Sequence, residues 1–292
     1  MENLVSLDIS RVAMVNEYLA AFPPLISEQT FTNLFAWRQD RPIWLMKKND
    51  TLLFLIKTDI CLDDQMVIFG PPIGIKTLAE ILVEPGQEQL IGAIRVTSGN
   101  IADLPPGFTV NKDRNNSDYV YKVADLAGLN GRKYAKKRSH IKQSLKNHDC
   151  VFEMITTQNI DECRELLGRW CDDRQCDLDP GLCGESKAIS TTLDLFDEFG
   201  LLGGVIRVDG RIQAFSIGER LNGSTAVWHF EKAIPEISGL SQLINQWFAK
   251  KCLQDFEFVN REQDLGIPGL RQSKESYYPD HLVDKFTAFR TT

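Results

Sequence analysis

Three apolar runs in the second half of the chain are joined by turns that fold each run back on the one before it. Asp209-Gly210 joins LLGGVIRV to IQAFSIGERL, and Asn222-Gly223 joins that run to STAVWHFEK. Asp-Gly and Asn-Gly tolerate the positive φ angles that tight hairpins require. The chain is therefore predicted to form a three-stranded antiparallel meander here.

The helices and strands before and after this meander restrict the possible folds further. Two helices with a 3.6-residue apolar period precede it, and a helix starting near Gly239 and the strand FEFV follow it. This order resembles the GNAT acyltransferase fold. In that fold the turn ISGLSQ, residues 237–242, would present a helix N-terminus to anionic groups. The Gly-rich RxxGxG/A loop of coenzyme-A-binding members is missing, so a plain capped helix remains an alternative.

The first half of the chain is predicted to mix helices and strands. Apolar spacing indicates a helix ending at Pro23, and IWLMKK and TLLFLIK around Asn49 and Asp50 indicate a hairpin. Together the two halves predict an α+β protein of two tandem GNAT-like domains with mixed, mostly antiparallel sheets. The predicted boundaries are 1–128 for the first domain, 129–148 for a basic linking helix and 149–292 for the second domain.

Composition excludes several classes of protein. The 292 residues carry a formal net charge of −7, which argues against a protein that coats DNA over its whole surface. A basic, apolar leader and a run of about 18 apolar residues are both missing, so we expect a cytoplasmic protein without integral membrane association.

Seven cysteines form no CxxC pair, and the four between Cys163 and Cys183 fit no zinc or calcium spacing, so no metal site is predicted.

The segment NGRKYAKKRSHIKQSLKNH differs sharply from the acidic remainder of the chain. It holds seven Lys or Arg residues and no acid. It is predicted to be a helix that steers an anionic donor. An exposed connector helix is the alternative, since charge runs are usually solvated. The candidate steering residues are Lys133, Lys136, Lys137, Arg138, His140 and Lys142.

Several separated motifs resemble the family named after the phosphatidylglycerol lysyltransferase C-terminal domain. They are NLFAWR, DYVY, KYAKKRSHIKQ, AFSIGERL, HFEKA with Gly239, and NREQDLGIPGLRQSKESYYP, in that order, and the similarity covers roughly Phe22 to Phe289. Members of the family resemble tandem GNAT-like domains related to the Fem-type aminoacyltransferases. The resemblance implies transfer of an activated acyl group to an amine or a hydroxyl.

Two residues of the third strand are the candidate catalytic groups. Glu231 is predicted to accept a proton or to anchor an acceptor amine, and His229 is expected on the same strand face by the period of two. Either residue is alternatively a satisfied structural polar group.

The polar stretch after FEFV is predicted to line the ligand cleft. Its arginines and lysine would neutralise a phosphate or carboxylate, and its tyrosines would supply hydroxyls and a stacking face. The alternative is a rigid ionic network that ties the C-terminal segment to the core. The candidate substrate-binding residues are Trp37, Arg38, Lys232, Gly239, Asn260, Arg261, Glu262, Asp264, Arg271, Lys274, Ser276, Tyr277 and Tyr278.

Three functional hypotheses follow. The first is an aminoacyl or acyl transferase with an anionic donor, such as the acceptor end of an aminoacyl-tRNA or a phosphorylated carrier. The second keeps the fold but uses an acyl-coenzyme A donor in an N-acyltransferase. The third is a non-catalytic module that binds an anionic ligand.

Overall fold

A computed structural model describes residues 4–291, which divide into two compact units. The first unit comprises residues 4–119, 262–274 and 281–291, and the second comprises residues 120–261 and 275–280. The strands are β1 (Leu4–Ser6), β2 (Trp44–Lys48), β3 (Thr51–Ile56), β4 (Met66–Phe69), β5 (Ile73–Gly74), β6 (Leu90–Val96), β7 (Phe108–Lys112), β8 (Asp118–Lys122), β9 (Cys150–Met154), β10 (Leu202–Val208), β11 (Arg211–Arg220), β12 (Thr225–Ala233), β13 (Phe258–Asn260), β14 (His281–Val283) and β15 (Phe286–Arg290). The helices are α1 (Val12–Ala21), α2 (Phe31–Ala36), α3 (Leu78–Val83), α4 (Ser98–Ile101), α5 (Val123–Gly128), α6 (Ala135–Asn147), α7 (Ile160–Arg174), α8 (Pro180–Asp194), α9 (Leu240–Cys252) and α10 (Pro268–Glu275).

The two units repeat one order of elements. In the first unit β1, α1 and α2 precede the antiparallel strands β2, β3 and β4, and after α3 the strand β6 pairs parallel to β4. In the second unit β9, α7 and α8 precede the antiparallel strands β10, β11 and β12, and after α9 the strand β13 pairs parallel to β12. The predicted α+β class with two tandem GNAT-like domains and mixed, mostly antiparallel sheets is confirmed.

Local turn chemistry explains the hairpins. Asn49 and Asp50 both adopt positive φ between β2 and β3, and Asp209 and Gly210 do so between β10 and β11. The turn at Asn222 is longer than the predicted two-residue hairpin, because the Asn222 side chain accepts hydrogen bonds from the backbone N–H groups of Ser224 and Thr225.

Each sheet contains a strand that comes from the other half of the sequence. In the first unit β15 lies between β6 and β7 and pairs antiparallel to both. In the second unit β8 lies next to β13, also antiparallel. The compact units therefore differ from the predicted ranges 1–128 and 149–292, and helix α6, predicted to link two domains, belongs to the second unit. These unit boundaries could not be predicted from local sequence patterns, because they depend on pairing between strands that are distant in sequence.

Apolar side chains hold the helices against the sheets. In the second unit Leu243, Ile244 and Phe248 of α9 are fully buried, and the Phe248 ring lies 4.7 Å from that of Trp228 on β12. Burying each such side chain contributes about 1.5–3 kcal/mol. This packing fixes α9 beside the end of β12, where the candidate catalytic residues lie.

Candidate active site

The parallel strands β12 and β13 separate after a short pairing. Their register runs from Thr225 opposite Phe258 to Val227 opposite Asn260, after which β12 continues to Ala233 while the chain leaves β13 at Arg261. Side chains of both strands therefore project where the two backbones diverge.

The Glu231 carboxylate is the centre of a polar cluster at this point. Its Oε2 accepts hydrogen bonds from Nη2 of Arg261 at 3.1 Å and from Nδ2 of Asn245 at 3.3 Å. Asn245 lies on α9 and is buried. The carboxylate is thus held by Arg261, which follows β13, and by Asn245 on α9. The Glu231 side chain has 22% of its surface exposed to solvent.

Aromatic rings orient the Arg261 guanidinium. Its Cζ lies 4.4 Å from the ring centroid of Trp228, 5.3 Å from that of Tyr277 and 5.8 Å from that of Tyr121. These distances fall within the range of cation–π attraction. The rings therefore restrict the rotamers of a long side chain and hold its planar donors toward Glu231.

A lysine of the basic helix reaches the same cluster. Nζ of Lys137 lies 3.5 Å from the ring centroid of Tyr277 and donates a hydrogen bond of 2.8 Å to Oγ of Ser276. Burial, followed by the neighbouring charge of Arg261, lowers the pKa of Lys137 to about 8. Burial, followed by the Glu231 carboxylate, raises the pKa of the Tyr277 hydroxyl well above its usual value. Lys137 can therefore change its charge near neutral pH.

Two buried polar atoms near Glu231 have no hydrogen-bond partner within residues 4–291. They are Oγ of Ser216, which stands opposite Glu231 on β11, and Oδ1 of Asn245. Buried polar atoms are almost always hydrogen-bonded. Burying a polar atom without a hydrogen bond destabilises the fold, and apolar side chains of the same shape would avoid this loss. We therefore include Ser216 and Asn245 among the residues of the candidate site.

His229 and Lys232 each have an acidic partner. The register of β11 and β12 shifts at His229, which is the extra residue of a β-bulge. A shared face for His229 and Glu231 stays a prediction. His229 pairs with Glu219, Nε2 to Oε1 at 2.7 Å. Lys232, next to Glu231 and so directed to the opposite face, contacts Glu185 at 2.6 Å and the Trp170 ring at 3.7 Å.

The other predicted steering residues either contact groups outside the Glu231 cluster or are exposed to solvent. Nη1 of Arg138 donates to the backbone carbonyls of Leu129 and Gly131, so this side chain closes the turn before α6. Lys133 lies over the rings of Tyr134 and Tyr278. Lys136 and Lys142 are exposed.

The turn before α9 is tightly packed against α6. Gly239 caps α9 with φ of 87° and no side-chain hydrogen bond, and a Cβ at this position would lie 2.1 Å from the His140 carbonyl oxygen. The predicted anion site at this helix N-terminus, residues 237–242, therefore has the backbone of α6 directly beside it.

Gly239→Ala is expected to lower the free energy of unfolding by about 2 kcal/mol or more, because alanine is strained at positive φ and its Cβ would displace α6. The measurement is urea unfolding followed by circular dichroism. Gly223→Ala is the matched control, since a Cβ there meets nothing within 4 Å. Equal stability of the two variants would contradict the close packing.

The stretch from Asn260 to Tyr278 is divided between the two units. Asn260, Arg261, Ser276, Tyr277 and Tyr278 belong to the second unit, and Glu262, Asp264, Arg271 and Lys274 belong to the first. Asn260 is fully buried within β13. The residues of each unit are therefore described by the contacts within that unit, and a shared role in substrate binding stays a prediction.

The first-unit cluster is centred on Asp264, which is fully buried. Its carboxylate accepts from Arg271 through Nε at 2.8 Å and Nη2 at 2.9 Å, from Arg114 at 3.1 Å, from the Tyr119 hydroxyl at 2.6 Å and from the Gly266 N–H at 2.8 Å. The Lys274 ammonium lies 5.9 Å from the Tyr119 ring centroid. This arrangement is the ionic network that the sequence left open as an alternative.

Trp37 and Arg38 follow α2 in the first unit. Trp37 is the C-cap of that helix, and Arg38 lies over the Phe35 ring at 3.6 Å while donating to the Phe35 carbonyl oxygen. A role for either residue in substrate binding stays a prediction.

Sequence reasoning missed Asn245 and Ser216. A pattern that could have found them is a polar residue inside an apolar stripe: Asn245 follows Leu243 and Ile244 on the buried face of α9, and Ser216 lies between Phe215 and Ile217. A polar residue at a core position requires a partner or a function.

Neither a metal centre nor a membrane span is found in the part of the chain that is described. Over residues 4–291 no three His, Cys, Asp or Glu side chains come together as a ligand set. No helix in that range has both the length and the apolar character needed to cross a bilayer.

Comparison with known proteins adds to this geometry. The sequence-family model described as "Phosphatidylglycerol lysyltransferase, C-terminal" matches residues 20–289. A search among curated protein sequences finds no match.

Solved structures share the fold over the whole chain. A conserved protein of unknown function from Bacteroides thetaiotaomicron VPI-5482 is 30% identical, with 100% of both chains covered and a TM-score of 0.88. The C-terminal domain of a putative lysylphosphatidylglycerol synthetase from Agrobacterium fabrum is 12% identical, with 97% of this chain and 92% of that chain covered and a TM-score of 0.67. The structure titled FemX is 8% identical, with 98% and 97% covered and a TM-score of 0.62.

Proposed function

The chain belongs to the family of phosphatidylglycerol lysyltransferase C-terminal domains, and on that premise we propose that it transfers an activated acyl group to an amine or hydroxyl acceptor. The observation that carries this proposal is the Glu231 carboxylate, held by Arg261 and Asn245 where β12 and β13 diverge. The pairing of these two parallel strands has ended here, so their side chains are not confined by a shared ladder of hydrogen bonds.

Each group of the cluster has a role in acyl transfer. The acceptor nitrogen or oxygen attacks the acyl carbon and gives its proton to the Glu231 carboxylate. Negative charge then develops on the former carbonyl oxygen, and the cations of Arg261 and Lys137 stabilise it. The bond between the acyl carbon and the donor oxygen breaks, and that oxygen takes up a proton as the donor leaves.

The proposed donor is aminoacyl-tRNA. The family name describes transfer of a lysyl group, which supports an aminoacyl group as the one transferred. Lys136 and Lys142 on α6 are exposed cations on the helix that also carries Lys137 into the cluster. Exposed lysines on one helix attract a phosphate backbone in a salt-dependent manner.

An acyl-coenzyme A donor is the competing hypothesis for the same fold. It would place phosphates at the N-terminus of α9, where Gly239 packs against the His140 backbone. The packing favours a donor that does not use this helix end.

The test is an acyl-transfer assay with labelled aminoacyl-tRNA or acyl-coenzyme A as donor and small amines, dipeptides or phosphatidylglycerol vesicles as acceptors. Glu231→Gln is expected to lower the rate about 100-fold, because it removes the proton acceptor while keeping the shape. Glu165→Gln, at an exposed position of α7, is the matched control and should retain the wild-type rate.

Two results would refute the site assignment or the activity. Full transfer by both Glu231→Gln and Arg261→Ala would show that the chemistry takes place elsewhere. A donor that binds reversibly and is never consumed with any acceptor would identify a binding module instead.

A further inference from the structure

Arg41 differs from the neighbouring cations of the first unit in its contacts. Arg95 pairs with Asp113 at 2.7 Å, and Lys285 pairs with Glu28 and Asp118. Between residues 4 and 291, no carboxylate forms an ion pair with Arg41. Arg41 therefore differs from Arg95 and Lys285, whereas Arg38 is likewise held by a ring and a carbonyl oxygen.

The surroundings of Arg41 fix its guanidinium in place. Its Nη2 donates to Oδ1 of Asn33 at 3.1 Å, and its Cζ lies 4.2 Å from the ring centroid of Phe69. Asn33 in turn donates from Nδ2 to Oε1 of Glu262 at 3.3 Å, which orients the amide with its oxygen toward Arg41. Glu262 adopts φ of 58°, an uncommon backbone conformation for a residue with a Cβ.

The electrostatic state of Arg41 is unfavourable. Burial lowers the pKa of Arg41 to about 10; the charge of Arg95 adds to this decrease, and the charges of Glu28 and Glu262 offset it only in part. Its Nε is buried and has no acceptor among residues 4–291. Buried charges are normally paired, and desolvating an unpaired cation destabilises a fold. A methionine of similar length would avoid this cost.

These contacts give Arg41 the properties of a donor that binds an oxyanion. A guanidinium presents planar donors that suit a carboxylate or phosphate, and here the ring of Phe69 and the amide of Asn33 have already restricted its rotation. Arg41 remains partly exposed, so a ligand can approach it. A pre-oriented, partly desolvated donor loses little entropy on binding.

We propose that Arg41, oriented by Asn33 and Phe69, binds an oxyanionic group of a ligand in the first unit. The group is a carboxylate or a phosphate. The residues that form it all belong to the first unit, and its existence does not depend on the proposed acyl transfer.

The test is thermal unfolding in sodium phosphate and, separately, in sodium acetate, with sodium chloride at equal ionic strength as the reference. Wild type is expected to gain about 3 °C at an anion concentration tenfold above its dissociation constant. Arg41→Met should lose this gain and melt no lower than wild type when neither anion is added. Arg164→Met is the matched control, because it removes one exposed cation that is already paired with Asp161 and Asp194.

Each outcome decides the proposal. A gain in phosphate or in acetate that Arg41→Met abolishes and Arg164→Met retains supports it and identifies the anion. No gain in either salt, or a gain that persists in Arg41→Met, overturns it. If Arg41→Met does not fold, Arg41→Lys takes its place: a smaller gain supports the proposal, and an unchanged gain overturns it. Because no acyl donor is used, the result is independent of the transfer assay.

Discussion

Lys285→Met is expected to lower the free energy of unfolding by about 3–5 kcal/mol, because it removes the buried cation that two buried carboxylates share. Lys285 is fully buried, and its Nζ lies 2.5 Å from Oε2 of Glu28 and 2.6 Å from Oδ1 of Asp118. Burial alone would raise the pKa of Glu28, but the charges of Lys285 and Arg95 hold it below its usual value. Methionine keeps the volume and removes only the charge.

Urea unfolding measures this change, and two further variants isolate its cause. Lys112→Met removes an exposed lysine that pairs with Asp284 at 2.7 Å, and should cost at most about 1 kcal/mol. Adding Glu28→Gln to Lys285→Met removes one of the stranded charges and should restore at least about 1 kcal/mol. Similar losses for Lys285→Met and Lys112→Met would show that the buried charges are not coupled as the contacts indicate.

Asp264→Asn is the second substitution with a large expected effect, also about 3–5 kcal/mol of lost stability. The carboxylate accepts bonds from Arg271, Arg114, Tyr119 and the Gly266 N–H, and an amide cannot accept from all of them. Two guanidinium groups would lose their counter-charge. Exposed Asp161→Asn on α7 is the control and should change stability by less than about 1 kcal/mol.

The pH dependence of this effect follows from the sign of the pKa shift. Burial would raise the pKa of Asp264, but hydrogen bonds from Arg271 and Tyr119 hold it well below its ordinary value. A carboxyl group with a lowered folded-state pKa stabilises fully above its unfolded pKa of about 3.9, and this contribution is lost as the pH falls below that value. The stability difference between wild type and Asp264→Asn should be constant above about pH 5 and should shrink in more acidic solution. A difference that grows on acidification would contradict the assignment.

Local chemistry made much of the fold predictable. The Asn49-Asp50 and Asp209-Gly210 hairpins follow from residues that tolerate positive φ, and the helices α7 and α9 follow from apolar spacing. The places of β8 and β15 could not be read in the same way, because a strand carries no sign of which distant partner it will join.

The candidate site was also predictable only in part. Glu231 and Arg261 were expected in one cluster, and their side chains are 3.1 Å apart. The extra residue at His229 in β12 could not be predicted, because no local sequence pattern marks where a β-bulge forms. The stretch after β13 looked continuous in sequence, yet Glu262 and Asp264 turn into the first unit while Tyr277 belongs to the second.

The position of β15 sets an order of events during protein synthesis. The strands β6 and β7 leave the ribosome well before the strand that joins them, Phe286–Arg290. At usual rates of translation the delay is on the order of 10 s. During that time the edges of β6 and β7 lack this partner and can pair with other strands. The unit that is begun first is therefore completed after the second unit, and until then its nascent form is open to misassembly.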